Sequence, residues 1–594
     1  MPTSPLHKEM DYVSFDILLK GTPLKGIYDI LSIESLQQIN SIPSAVFTIL
    51  LPFDPGAADI FAASESKDFI PGTEVEIKLG YESKTDSIFK GVIVLHGIKS
   101  KAGERPQLIL YCQDKAAKMA VNKKIQAFED KSDADIIKKV ISDHGLDKEV
   151  DSTNFKHQQQ LQTGITDWDF IATRAKVNGM ITYAEAGKVI VKKPTASGAA
   201  DLVLNYGQDV FDFEAELDAN HQLPEVVASG WDYATGNFQS DTSSEPSLNK
   251  QGNLSGKKLA QVLKAKGEEI PFTTPIPKDE LKALANGVLL RSRLAALRGK
   301  VSFFGNATPK LNTLIELKGF GDRFDGVALI SSIKHTLRDG AWRTETGFGL
   351  PRTLLAEKHP TTNSNMGLLS SIRGLQNGVV VKTDEDPEKK ARIQVDIPVL
   401  SAKVWARHSS FYATSDNGAL FRPEIGDEVI VGFLNDDPRF PIILGSVYGP
   451  KHQPPYAADK KNSIKAIITK NNLKIELNDE DKGMTIATPA GNTLILSDKG
   501  KSITLIDQHK NLVMMDSDGI TLKSNKDLTL DAKGNISLNA RQNVKVAASG
   551  GDVSLKGNRV LGDGQTGVRM KGGATAELSA GGQTTVKGAM VMIN

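Results

Sequence analysis

One cysteine in 594 residues, Cys112, rules out an intrachain disulfide framework. Its setting, LILYCQD, is a buried-strand pattern, so the thiol is expected to be an inert core group. An excess of either charge is missing too. The 72 basic and 71 acidic residues leave a net +1, too little to draw the chain to nucleic acid or a membrane surface. No stretch approaches the roughly 18 uninterrupted apolar residues of a membrane span. The start, MPTSPLHKEMDYVSF, lacks the basic-then-apolar layout of a secretory leader, so synthesis and assembly in a cytoplasm are expected. Patterns of the GxSxG, HExxH, CxxC and P-loop kinds are absent. The reading is therefore of a protein that is not an enzyme, with no catalytic residue, no cofactor and no metal ligand to nominate.

What the chain does have is a strand-sized repeat at its end. Apolar residues stand at Leu512, Ile520, Leu528, Ile536 and Val544, each eight after the last. A second column two residues on runs Met514, Leu522, Leu530, Leu538 and Val546. The frame slips by one at Val553/Leu555, then resumes through Val560, Val568 and Ala576, with Met570, Leu578 and Val586 beside them. Side chains two apart share a strand face, so each octad is a short strand with one apolar pair inward. Gly, Asn, Asp and Lys fill the intervals, as turns require. An ordinary hairpin sandwich would not hold one period for so long.

Eight extended residues span roughly 26 Å, too little to enclose a core. Three octads close a triangular coil, drawn from one chain or one from each of three. Two buried apolar side chains return less than the ordering of eight backbones costs, so ladder hydrogen bonds are needed as well. An open edge forfeits those bonds, which favours interwound chains. At one strand spacing per octad, Ser463 to Asn594 would then make a rod of roughly 75 Å.

Ahead of the repeat, Tyr12 to Leu350 reads as mixed α and β. Strand patterns occur in VSFDILL, AVFTILL, TEVEIKLGY, FKGVIVLHGI and PQLILYCQD, and again in KVSFFG, TLIELKGF, GVALISSIKHTL and TETGFGL. Helices are predicted over Ser132–His144, stopped by Gly145, over Asp167–Asn178, and over Lys278–Arg298. Glu357–Asn365 breaks the periodicity, and Pro454 and Pro455 mark a second boundary within Lys451–Asn462. The block between these boundaries has alternating strands (ARIQVDIP, DEVIVGFL, PIILGSVYG) and tight turns at PEIGDE and LNDDPRFP, the pattern of a five-stranded barrel.

The order of residues in that block carries a resemblance. It runs from Trp405-Ala406-Arg407 through Phe421, Pro423, Glu424, Gly426, Asp427, Glu428, Gly432 and Phe433 to Asp437-Pro438, Pro441, Gly445, Ser446 and Tyr448. It resembles the OB-fold domain of contractile-tail spikes, namely the VgrG proteins of type VI secretion systems and the related spikes of phages and extracellular contractile injection particles. Upstream, Phe69–Tyr81, Phe89–Ile93, CQDKA with Met119, and Thr166–Met180 look like the hub of that family. Downstream, the octads and the ending AELSAGGQTTVKGAMVMIN look like its needle. The resemblance implies a mainly β, multidomain chain: hub domains of β-barrel-like α+β type over 1–362, an OB-fold barrel over 376–450, and a triple-stranded β-helix over 457–594. It also implies a homotrimer at the centre of a baseplate, with inner tube and baseplate proteins at the hub, effector cargo in some systems, a PAAR-type tip protein at the far end, and ejection on contraction.

Other constellations read as structural. Arg407 and His408 beside Trp405 could suggest stacking on single strands, but Glu424, Asp427, Glu428, Asp436 and Asp437 crowd the barrel turns, so no nucleic acid is expected. Asp167 and Asp169 around Trp168 fit a helix start better than a carboxylate pair. Gly321–Gly326 lacks the length and terminal Glu of a calcium loop and reads as a turn. Lys460, Lys461 and Lys465 read as a solvated face. The last histidine is His509, so no imidazole apex is available at the needle end. Met590, Val591, Met592, Ile593 and Asn594 form instead a short apolar terminus, expected to dock the tip protein. No domain fits between Gly449 and Ser463, and none is expected after Asn594. A trimeric tailspike-like β-helix acting on polysaccharide would need a carboxylate pair along one groove, whereas the repeats scatter Asp and Lys. A fibrous adhesin would need a leader or a receptor-binding knob.

Overall fold

In the computed structural model, the alternating segments pair as the sequence pattern requires, and the long-range order of the strands sets the architecture. Residues 4–5, 12–52, 60–232, 237–264, 266–272, 274–351 and 371–593 are described. The expected boundary at Glu357–Asn365 and the tip residue Asn594 lie outside them. The chain divides into two compact units, Met1–Pro454 and Pro455–Asn594.

The first unit is built on a 13-stranded sheet in which early and late strands mix. Asp29–Gln38 pairs antiparallel with Gly326–Arg338, placing Ser35 opposite His335. Cys112 is buried in the cluster of Phe47, Leu108, Leu110 and Trp342, and burial pushes its thiol up to about 12. A second cluster gathers Leu202, Val301, Ile315 and Phe348.

The helix signals act locally, as capping chemistry predicts. Ser132 caps Asp133–Asp143 in a capping box with Asp135, and Gly145 follows at φ 62°. Thr166 caps Asp167–Val177, accepting from the Asp169 N–H at 3.1 Å. The third helix departs from expectation. It spans Lys278–Leu294, four residues short of the predicted end, and Arg298 lies in the strand Leu297–Phe304, opposite Glu216. The Leu350 N–H takes the Leu294 carbonyl, so sheet pairing overrides the helix-forming Ala/Leu/Arg composition. The second and third helices touch at Gly179 and Gly287, where a Cβ on Gly287 would stand 2.6 Å from the Gly179 Cα.

Five strands close a barrel in the order Gln376–Lys382, Ile393–Ile397, Ala402–His408, Pro441–Ser446, Glu428–Phe433. Gln376–Lys382 pairs with both Ile393–Ile397 and Glu428–Phe433, and that double pairing makes the closure. Inward Val380, Ile393, Val395, Val404, Val429, Val431 and Ile443 fill it. The two turns read from PEIGDE and LNDDPRFP are present, with Gly426 at φ 94° and Asn435 and Asp436 at φ 56° and 55°.

The second unit corrects the octad reading. Ile464–Ile468 to Gly519–Lys523 form a seven-stranded antiparallel meander, each strand paired with the next in sequence. Here the turns let the chain return on itself. Leu512 and Met514 lie on the face opposite Ile520 and Leu522, since Val513 pairs with Leu522 and Met515 with Ile520. Their spacing of eight arises from a hairpin with a two-residue turn, so the octads proper begin at Leu528. From residue 524 to 593 the described chain makes no strand pair with itself, and it bends at eight-residue intervals, at 525, 533, 541, 549, 557, 565, 573, 581 and 589.

Candidate assembly interface

The charged residues of the first unit are used as joints. Asp133 and Arg174 are both buried. The Arg174 Nε donates to Asp133 Oδ1 at 2.6 Å and its Nη2 to Oδ2 at 2.7 Å. Asn178 Nδ2 donates to the same carboxylate at 2.7 Å, and His157 Nε2 lies 3.0 Å away. Burial alone would raise the Asp133 carboxyl, but Arg174 and His157 hold it well below the usual range. Glu280, on the third helix, lies 3.7 Å from Arg174 and accepts from Arg439 Nη1 at 3.0 Å. Arg439 also binds Asp437, Nη2 to Oδ2 at 2.9 Å. Burial would lower the Arg439 guanidinium, and Asp437 and Glu280 together raise it instead. Helix and barrel are thus tied through one buried cation with both carboxylates engaged. This pairing is invisible to local patterns, because 159 residues separate its partners.

The motifs weighed for chemistry have structural places. Asp167 is buried, and Lys124 (2.5 Å), His144 (2.6 Å) and Gln162 (2.9 Å) all reach it. Burial opposes its charge and these partners restore it, leaving the carboxyl lowered. Asp169 packs at the helix cap, so the two carboxylates do not share a site. Trp405 and Arg407 line a cleft of about 400 Å³ with Phe155 and Phe440, and Glu129, Asp130 and Glu388 line it too. Asp325 accepts from the Gly319 and Phe320 N–H groups, the turn expected at Gly321–Gly326. Lys461 and Lys465 are not merely solvated, for they pair with Glu480 and Asp479. Among the described residues no group of three His, Cys, Asp or Glu is arranged to hold a metal ion. No described helix is long and apolar enough to cross a membrane.

Among the described residues, one face of the meander is apolar and uncovered. It carries two cross-strand rows. The first runs Ile467, Ile475, Ile486, Leu494, Leu505, Val513, Leu522. The second runs Lys465, Leu477, Met484, Leu496, Ile503, Met515, Ile520. Only Lys465 in these rows is polar. Leu505 is 52% exposed and Ile520 71%. The opposite face is mixed, with Ala466, Glu476, Thr485, Ile495, Thr504 and Met514 in one row. A sheet with one polar face and one apolar face buries the apolar one. Among the described residues nothing does so.

The same chemistry continues beyond the meander. The octad pairs Leu528/Leu530, Ile536/Leu538, Val544/Val546 and Val553/Leu555 are each more than half exposed. At the end, Met590, Val591, Met592 and Ile593 are exposed, Ile593 at 92%. An uncovered apolar surface of this extent marks an interaction site.

Comparison with known proteins places this geometry. Residues 9–339, more than half of the chain, match the family described as the Alg8 N-terminal domain. Residues 376–448, which make the barrel, match the Type VI secretion system/phage-baseplate injector OB domain. By the first of these matches the chain belongs to the family described as the Alg8 N-terminal domain, and its barrel is similar to the injector OB domain. Among curated relatives, the actin cross-linking toxin VgrG1 of Vibrio cholerae is 50% identical over 52 residues, 9% of this chain and 5% of that protein. The type VI secretion system spike protein VgrG1b of Pseudomonas aeruginosa is 37% identical over 98 residues, 15% of this chain and 13% of that protein. The chain therefore spans a small part of the curated relatives it matches. A solved Francisella PdpA–VgrG complex, lidded, is 10% identical with a TM-score of 0.52, covering 87% of this chain and 81% of that one, a likeness of fold.

Proposed function

We propose that this chain is the structural central spike of a contractile injection machine and works as a homotrimer. The observation that carries the reading is the uncovered apolar face of the meander, followed by octads with no ladder partner in their own chain. Three copies related by a threefold axis turn three such faces inward. They also give each octad two neighbours from other chains, which satisfies the backbone groups at its borders. The result is a three-sided prism in which three self-paired sheets over 464–523 pack face to face, continued by a triple-stranded β-helix over the octads that leaves those strands no free edge.

The remaining parts follow from this reading. The hub accepts the inner tube and baseplate proteins, and the barrel forms a collar. Met590–Asn594, brought together three times, makes a blunt apolar platform for a PAAR-type tip protein. Effector cargo rides on the same assembly. The protein is made and assembled in the cytoplasm, and contraction of a surrounding sheath drives the spike outward through a target envelope. Force acts on a small area, and the joints around Arg439 and Arg174 transmit it within the first unit.

The test is mass and length in solution. Light scattering should give three times the 64.1 kDa chain mass, and electron microscopy a thin shaft tens of ångströms long. A folded, monodisperse monomer would overturn the proposal.

A further inference from the structure

The octads contain one fault, and it occurs in two columns at once. Apolar residues stand at Leu528, Ile536, Val544, Val553, Val560 and Val568, with intervals of 8, 8, 9, 7 and 8. A column of small residues stands at Ala532, Ala540, Ala548, Gly557, Gly564 and Gly572, with the same intervals of 8, 8, 9, 7 and 8. One whole octad is displaced by a single residue, and the next restores the phase. The backbone records the displacement. The bends at 533–534 and 541–542 are two residues long, the bend at 549–551 is three, and 557–558 returns to two. The extended run after the long bend is five residues instead of six.

Strand faces alternate, so a one-residue displacement without compensation would turn Val553 and Leu555 outward and Asp552 and Ser554 inward. The extra residue in the bend absorbs it, as a β-bulge does. Two glycines, Gly550 and Gly551, make that bend. A Cβ on either would meet nothing of its own chain within 4 Å. The same open space surrounds Gly534, Gly573, Gly581 and Gly582, whereas a Cβ on Gly572 would stand 1.9 Å from the Thr575 carbonyl oxygen. Contacts within one copy therefore do not account for the glycine pair.

We infer that residues 549–558 are a register key, recognised by the same segment of the other two copies. This rests on the trimeric reading above. Identical octads specify register weakly, because sliding one chain by eight residues keeps every apolar pair inward. The displaced octad removes that degeneracy. In register, three long bends lie at one level. One chain slipped by an octad sets its long bend beside two short ones, and its displaced strand beside strands in phase.

The test uses the full-length chain. Moving Gly551 to lie between Gly557 and Asn558 restores intervals of eight in both columns, with length and composition unchanged. Parent and relocated chains, each with Cys112→Ala and a nitroxide on Thr585→Cys, are compared by pulsed electron spin resonance. The parent should give one narrow inter-label distance. The relocated trimer should add a second population, displaced by about 5 Å along the shaft for one strand spacing. When parent and relocated chains carrying different tags are co-expressed, each should assemble with itself, and mixed trimers should fall below the random proportion. A relocated trimer with only the parent distance, or mixed trimers at the random proportion, would overturn the key. So would relocated chains that fail to trimerise, because strict octads should still braid. A monomeric parent would instead overturn the trimeric reading itself.

Discussion

On the trimeric assembly proposed above, replacing Leu505 by aspartate should separate the assembly into single chains while leaving the first unit folded. Leu505 lies between Leu494 and Val513 in the first apolar row and is 52% exposed in one copy. About half of its surface is therefore still available for burial by other copies, worth about 1 kcal/mol per chain. Losing that alone would weaken a trimer only modestly. The carboxylate adds more, because burying an unpaired charge costs several kcal/mol per ion after relaxation. Three such ions at one level of a closed prism bring the penalty to on the order of 10 kcal/mol per trimer, and their mutual repulsion adds to it. The assay is light-scattering mass at matched concentrations, with circular dichroism to confirm that the hub is folded. Thr504→Asp is the control. Its side chain is on the mixed face between Ile495 and Met514, and it should leave the mass unchanged. If Leu505→Asp keeps the parent mass and thermal midpoint, the apolar face is not the assembly face.

Further outcomes are specific to other parts of the chain. Arg439→Met strands Glu280 and Asp437 as buried carboxylates and should cost about 3–5 kcal/mol in denaturant unfolding. Adding Glu280→Gln should recover part of that loss, and additive losses would refute the joint. His335 is fully buried, and burial holds it at about 3, so the folded state resists protonation. Its contribution is complete above the unfolded value of about 6.5 and is lost as pH falls towards 3, by up to about 1.4 kcal/mol per pH unit. His335→Asn should flatten stability over that window, and an unchanged slope would refute the assignment. Asp133 and Asp167, both held low, add their own loss only below the ordinary carboxylate range near about 4. Cys112 should resist thiol reagents until the protein unfolds, and rapid labelling of native protein would contradict its burial. Deleting Met590–Asn594 should abolish capture of a PAAR-type protein without changing the trimer mass, and retained capture would exclude the platform.

Local chemistry was legible wherever the deciding contacts lie close in sequence. Ser132 and Asp135 are three residues apart and form their box. The barrel turns at Gly426 and Asn435 were readable because positive φ favours glycine and asparagine. The helix Lys278–Leu294 was overextended because composition does not reveal that Glu216, 82 residues away, is the partner of Arg298. The meander was misread for a related reason. A five-residue strand with a short turn repeats at nearly the length of an octad, so spacing alone puts Leu512 and Ile520 on one face, whereas pairing puts Val513 there with Ile520. Nothing in the sequence marked Arg439, Glu280 and Arg174 as neighbours.

By itself, the sequence determined the two-residue alternation of the strands, where the chain turns, and that the octads lack a core of their own. These follow from the two-residue period of a strand and the backbone freedom of glycine and asparagine, both properties of a few adjacent residues. Tertiary structure alone decided that residues 464–523 pair with themselves while 524–593 do not, and that buried charges tie the third helix to the barrel. Those outcomes depend on which distant groups come within hydrogen-bonding reach, and only the closed sheet and barrel fix that.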